Sequence, residues 1–318
     1  MKPLRLGVLL PTRGILLRGE GPPDPSPVLR MAEGAEAAGL DSVWVGDHLA
    51  FPRDPKLPYP YSRGAPRYLP SNVPILEPIA LMAAIVARTS RVRVGVSVLI
   101  LPYRHPLVTA KMIATIDSIS SGRVILGVGV GWLPEEFEAL NADLETRGAV
   151  TDEQIRYFRE VWSNDEPSFD GRFYQLSGID VFPKPTDRSI PIWIGGQTPA
   201  AMRRAANLGD GLHLIDLTLA ELEGVVERFA KICAQAQRPL EEVTLSIRST
   251  FKLTDGPATP EEQQTPITGN VEQVVGVLRE FERLGIRHVC LGPRVAQNVE
   301  SFLGAIDVIG KEIKPALA

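Results

Sequence analysis

Short, mostly apolar stretches alternate along the whole chain with segments whose apolar residues recur every three or four positions. The first kind predicts strands at Leu4–Leu10, Ser42–Gly46, Val92–Leu99, Val124–Gly131, Pro191–Gly195, Gly211–Ile215, Val243–Phe251 and Arg287–Leu291. Several are unbroken runs of Val, Ile and Leu rather than alternating ones. Unbroken runs suit strands covered on both faces, as in a parallel sheet. The second kind predicts helices at Pro27–Gly39, Leu76–Arg88, Pro106–Ser121, Asp152–Trp162, Pro199–Leu208, Leu219–Gln235, Val271–Leu284 and Ala296–Ile313. Ser26 offers an N-cap and Pro27 a first residue for the first of these, while Gly122 stops the third.

Eight strand–helix units with no linker-like break predict one (β/α)8 TIM barrel over residues 1–318. Closure removes the two exposed edges that an open sheet would leave. Three insertions interrupt the repeat. Residues 50–75 follow the second strand, so they belong at the C-terminal face where barrel active sites are built. They are rich in proline and carry Tyr59, Tyr61, Tyr68, Arg53, Arg63 and Arg67. Residues 167–188 read as a hairpin, with Asp170-Gly171 as the turn between aromatic-rich arms. Residues 254–269 read as a solvated loop or a substrate lid.

Composition narrows the class. The 318 residues are 44% hydrophobic, enough for a large core. A net charge of −4 gives no reason to expect nucleic-acid binding. No apolar run is long enough for a membrane span, and the N-terminus lacks the features of a signal peptide. A cytoplasmic protein is expected. Cys233 and Cys290 are isolated, and no cluster has metal-ligand spacing, so no metal is expected.

In a barrel the chemistry should sit where strands end. Strand two ends in VWVGDHLAF, which puts Asp47 and His48 on the rim ahead of the long insertion, where general acid–base groups belong. Strand three places Ser97 in an otherwise apolar run. In strand four Gly127, Gly129 and Gly131 share one face. That face could admit a flat ring, or could simply pack tightly in the barrel. After strand five, Gly195, Gly196, Gln197 and Thr198 lead into a helix at Pro199. Such a turn exposes amides suited to a phosphate, or is merely a tight connection. His105, His213, His288 and Asp210 read as structural.

The segments AEAAGLDSVWVGDH, RVRVGVSVLILPYRHPLVTAKMIATIDSISSGRVILGVGVGW and SIPIWIGGQTPAAMRRAANLGDG together resemble the bacterial luciferase-like family of flavin- and deazaflavin-dependent oxidoreductases, most of all its F420-dependent branch. The resemblance covers nearly the whole chain and implies the same barrel. It implies a cofactor ring at the C-terminal mouth, against a bulge in strand three with a cis peptide at Ser97-Val98. It further implies Asp47 beside the ring, His48 near the reacting carbon as the catalytic residue, and Gly195, Gly196, Gln197 and Thr198 at the cofactor phosphate. Trp132 stands where F420-dependent sugar-phosphate dehydrogenases carry a catalytic glutamate, which speaks against sugar-phosphate oxidation. The implied activity is hydride transfer between coenzyme F420 and a small organic substrate. The alternatives are an FMN-dependent monooxygenase supplied by a flavin reductase, and a flavin-binding protein without turnover. A homodimer is expected by the same resemblance. Arg172, Lys184 and Arg188 are candidates for the anionic tail of F420.

Overall fold

The computed structural model describes residues 3–13, 24–61, 66–69, 71–259, 262, 267–293 and 298–318. Its barrel strands are β1 (Arg5–Leu9), β2 (Ser42–Val45), β3 (Arg93–Ile100), β4 (Val124–Gly129), β5 (Ile192–Gly195), β6 (Gly211–Ile215), β7 (Thr244–Leu253) and β8 (His288–Pro293). Each pairs in parallel with the next, and β8 returns to β1, so the sheet closes. This is the (β/α)8 barrel that the alternation predicts. Among the described residues no helix is long and apolar enough to cross a membrane.

The outer helices are α1 (Ser26–Ala37), α2 (Pro78–Arg88), α3 (Pro106–Ser120), α4 (Pro134–Ala139), α5 (Arg147–Ser163), α6 (Pro199–Leu208), α7 (Leu219–Gln235), α8 (Val271–Arg283) and α9 (Val299–Val308). Helix α8 shows why they form. Val274, Val275, Leu278 and Phe281 are buried on one face, and Asn270 with Gln273 closes a capping box at its start. Helix α3 ends as expected, with Ser121 and Gly122 both at positive φ.

The structure departs from the sequence reading in small ways. Ser26 is the first helical residue rather than the cap, because Asp24 accepts hydrogen bonds from its amide and hydroxyl. The hairpin pairs Phe169–Asp170 with Gln175–Leu176, so its turn is the stretch 171–174. Buried Glu153 fixes that turn by accepting from the amides of Arg172, Phe173 and Tyr174. Most of the stretch 260–266, and Arg63, lie outside the described residues. Ile267–Gly269 adds a short parallel strand beside β7.

A bulge interrupts β3. Val96 pairs with Leu126 and Leu99 with Val128, so three steps of β3 match two of β4. The peptide Ser97-Val98 within it is cis, as expected. The glycines of β4 make the bulge fit. A Cβ at Gly127 would stand 2.1 Å from the Val96 carbonyl oxygen, and one at Gly129 would stand 2.5 Å from Val98 Cγ2. These glycines therefore seat the neighbouring strand, and the tight-packing reading holds for both. Replacing Gly127 by Ala should cost at least about 2 kcal/mol, because the obstacle is backbone that cannot rotate away. Urea unfolding checks this: the midpoint should fall with an unchanged slope, and an unaltered midpoint would show that β3 and β4 can separate freely.

Candidate active site

A cavity of about 760 Å³ opens at the carboxyl end of the barrel. That size is within the range of small-molecule sites. All eight strands, or for β2 the residues just after it, contribute to its wall, from Leu9 at the end of β1 to Gly292 in β8. The insertion after β2 contributes Tyr59, Tyr61, Arg67, Leu69 and Ile75.

His48 lies on this wall, and its Nδ1 is 2.7 Å from Glu136 Oε2. Glu136 belongs to α4, so a carboxylate from the helix after β4 orients the imidazole after β2. Its Oε1 accepts from the amides of Leu49 and Ala50 at 2.7 and 3.1 Å, and its Oε2 also accepts from the Tyr103 hydroxyl at 3.1 Å. Burial opposes the charge on Glu136, but the hydrogen bond from His48 and the two amides outweigh it and hold its pKa below the ordinary value. The result is an ionised carboxylate on Nδ1, which leaves Nε2 as the nitrogen to meet a ligand. Trp132 and Phe51 flank the ring, at centroid distances of 6.0 and 4.7 Å.

Asp47 also lines the cavity, but both its oxygens are engaged. Arg104 clamps it in a two-pronged pair at 2.7 and 3.0 Å, and the Ile100 amide donates to it at 2.8 Å. Arg104 bridges on to Glu77 at 2.9 Å. Burial disfavours the guanidinium charge, yet the two carboxylates more than offset this and raise its pKa. Asp47 thus fastens the end of β2 to the end of β3.

Ser97 and Val98 form part of the floor. Ser97 Oγ is 2.9 Å from His213 Nε2, and His213 Nδ1 is 3.0 Å from Ser246 Oγ. His213 is buried and stacks on Trp44 at 5.1 Å. Ser42, Trp44 and His288 continue this polar–aromatic layer across the barrel, with His288 Nε2 at 2.8 Å from Ser42 Oγ. Both histidines are core residues, as their strand positions suggested.

The predicted glycines separate here. Gly129, Gly131, Gly195 and Gly196 line the cavity, whereas Gly127 is covered by the bulge. Gly131 has φ +80 and packs on Phe137 and Ile100. Val98 fills the space in front of Gly129 and Gly195, so the surface offered to a ring is the valine side chain and not a bare glycine face. After β5 the phosphate cradle is narrower than expected. The Gly196 amide donates to the His213 carbonyl, and the Gln197 side chain folds back onto Ile215. Thr198 caps α6 by accepting from Ala201. Pro199 has no N–H, so Ala200 is the one first-turn amide of α6 without a partner within the helix.

Two candidates for tail binding lie elsewhere. Lys184 donates to carbonyls at the end of α5, and Arg188 pairs with Asp165 at 2.9 Å. Neither these nor Arg172 lines the cavity. Conversely, the sequence reading passed over Glu136, Arg104, Arg13 and Arg248. The signal for Glu136 was the pair Glu135-Glu136 at a helix start just past a barrel strand.

The luciferase-like monooxygenase family profile matches residues 4–288. The chain belongs to that family. One luciferase-like relative, the F420-dependent glucose-6-phosphate dehydrogenase of Amycolatopsis mediterranei, is 34% identical over 197 residues, 59% of this chain and 52% of that protein. The chain spans between about half and two-thirds of the curated relatives it matches. Solved structures share the fold over the whole length. An F420-dependent secondary alcohol dehydrogenase in complex with an F420-acetone adduct superposes with TM-score 0.78 at 21% identity, covering 100% of both chains. The FMN-bound oxygenating constituent of 3,6-diketocamphane monooxygenase from Pseudomonas putida gives 0.73 at 16%, covering 98% of both chains.

The buried histidines make stability depend on pH. Burial, with a smaller contribution from Arg248, pushes the pKa of His213 down from 6.5 to about 3. Between those values the unfolded chain takes up a proton that the folded protein refuses. Stability should therefore fall as pH drops from about 6.5 towards 3, with His288 acting in the same direction. Urea midpoints measured across this range should show the decline, and it should be shallower in His213→Asn. An equal slope in that variant would assign the dependence to other groups.

Proposed function

We propose that this protein is an oxidoreductase that exchanges hydride between coenzyme F420 and a small organic substrate, with His48 as the general acid or base. The observation that carries this reading is the pair of His48 and buried Glu136 on the wall of a large cavity at the catalytic end of the barrel. Family membership and the F420-dependent relatives support the choice of cofactor.

The cavity fits a flavin-type ring and its phosphate. Val98 provides an apolar platform that Gly129 and Gly195 allow to protrude, since a Cβ at Gly195 would meet Val98 Cγ1 at 2.8 Å. Gly196, at φ +113, turns the chain into the start of α6, where the Ala200 amide and the positive end of the helix suit an anion. When bound, F420 supplies a two-electron hydride donor or acceptor. The chain's own residues do the rest. Glu136 holds the proton on Nδ1 and stabilises the imidazolium that forms when Nε2 removes a proton from a substrate hydroxyl. In the opposite direction the same nitrogen gives that proton back to the oxygen of a carbonyl. Trp132 and Phe51 flank the imidazole, Tyr59 packs against Trp132, and together they limit access of water.

The FMN-bound neighbour makes the second cofactor a definite competitor, since both groups need a ring platform and a phosphate site. Titration of purified protein decides between them: F420 should bind and be reduced or oxidised, and low-micromolar FMN binding with negligible F420 affinity would overturn the proposal. With a turnover assay following F420 absorbance, His48→Ala should lower kcat by about 10²–10⁴-fold. Glu136→Gln should lower kcat by about 10²-fold through misorientation, leave F420 affinity in place and shift the pH profile. Unchanged turnover in both variants would return the pair to a structural part.

A further inference from the structure

Three guanidinium groups stand on the wall of the same cavity and take no part in the chemistry above. Arg13 follows β1, Arg67 comes from the insertion after β2, and Arg248 projects from β7. They are gathered by aromatic rings. Arg13 lies over Phe51 at 5.3 Å and Arg67 over Tyr59 at 5.1 Å, while Arg248 Nη2 donates to the Tyr59 hydroxyl at 2.9 Å. Arg248 Nη1 also reaches the Ser97 carbonyl at 3.5 Å, beside the bulge that floors the cavity.

Two carboxylates, Asp47 and Asp216, line the same cavity. Asp47 is engaged by Arg104, which does not line the cavity. Asp216 stands near Arg248 and helps keep it charged, and its Oδ1 also accepts from the Thr250 amide and hydroxyl at 2.7 and 2.8 Å. Among the described residues no carboxylate is paired with Arg13, whose Nη1 is buried and has no hydrogen-bond partner. Burial, then the charges of Arg67 and Arg248, lower its pKa. An arginine does not escape this by losing its proton, and a buried guanidinium nitrogen without a partner is unfavourable. Such a group is satisfied when an anion arrives.

We infer that the cavity takes a substrate bearing a carboxylate or phosphate, whose oxygens pair with Arg13 within the group that Arg67 and Arg248 complete. Planar forks of this kind match both oxyanions in two-pronged fashion. The inference rests on the oxidoreductase reading and adds the substrate class: the reacting carbon faces His48, and the anionic end is held by the arginines.

Calorimetric titration of the full chain, with and without F420, tests it using pyruvate, dihydroxyacetone phosphate and uncharged hydroxyacetone. One of the two anions should bind at least about tenfold more tightly than hydroxyacetone, and Arg13→Gln should remove that advantage while F420 affinity stays within about twofold. Whichever anion prevails separates carboxylate from phosphate. Arg67→Gln, at an exposed position, supplies the same comparison should Arg13→Gln fail to fold. Equal affinity for the anions and hydroxyacetone would overturn the inference. So would a loss of F420 affinity in both variants as large as the loss of anion affinity, since the arginines would then serve the cofactor's own anionic tail. Anion binding that depends on Arg13, in a protein with no affinity for F420, would uphold the anion site and overturn only the oxidoreductase reading.

Discussion

A carboxylate buried inside a protein must be surrounded by donors, and two such groups hold the mouth of this barrel together. Asp47 and Glu136 are both buried, and each collects hydrogen bonds from several separate chain segments. Asp47 draws in the end of β3 through Ile100 and the following turn through Arg104. Glu136 draws in Leu49 and Ala50 after β2, Tyr103 after β3, and His48 itself. Removing one partner would leave the charge uncompensated in a medium that penalises it heavily. Loops that could otherwise wander over the barrel end are therefore fixed relative to one another. The imidazole of His48 is oriented by the same bonds that fix its backbone.

The floor depends on a different constraint, which is volume. The extra residue in β3 pushes Val98 towards the cavity and leaves Ser97 Oγ on His213. That arrangement is compatible only with neighbours lacking a Cβ, which is why Gly127, Gly129 and Gly195 surround it. Below the floor, Trp44, Trp193, His213 and His288 fill the barrel with stacked and edge-on rings, and ring nitrogens of Trp44, His213 and His288 bond to Ser42, Ser97 and Ser246. A barrel interior packed in this way is rigid, so the cavity above it keeps its shape.

Much of this could be read from the residues, because periodicity and strand ends are local properties. The eight units and the rim position of His48 follow from short segments, whereas the bulge at Ser97-Val98 was implied only by the resemblance to the luciferase-like family. What could not be read depends on depth. The segment WLPEEFEA reads as the solvated start of a helix, and nothing local says that Glu136 is turned inward while its neighbour Glu138 is exposed. That outcome is set by Phe137, which buries against Tyr103 at 4.9 Å and rolls the helix. Lys184 and Arg188 misled for the complementary reason. Their charge suggested a ligand, but the end of α5 lies close enough to take them. The strand-four glycines were ambiguous because period-two counting assigns a face without saying what lies opposite it.

Charge is distributed unevenly around the cavity, and this is where the two halves of the site come together. On one side a histidine rests on an ionised carboxylate, which holds its Nδ1 and leaves Nε2 to meet a ligand. On the other, Arg67 and Arg248 meet at Tyr59, and the buried Nη1 of Arg13 has no hydrogen-bond partner. Phe51 and Tyr59 link the sides, since Phe51 touches both His48 and Arg13 and Tyr59 touches both Trp132 and Arg248. Aromatic rings can separate two charged regions without bonding to either, and their faces still favour the cations beside them. A ligand that bridges this gap would be oriented by its charge before any proton moves. The insertion after β2 supplies Phe51, Tyr59 and Arg67, so it contributes both to the enclosure of His48 and to the cationic side. Changes in that one insertion could alter which substrates are accepted while the barrel, the bulge and the pair of His48 and Glu136 stay as they are.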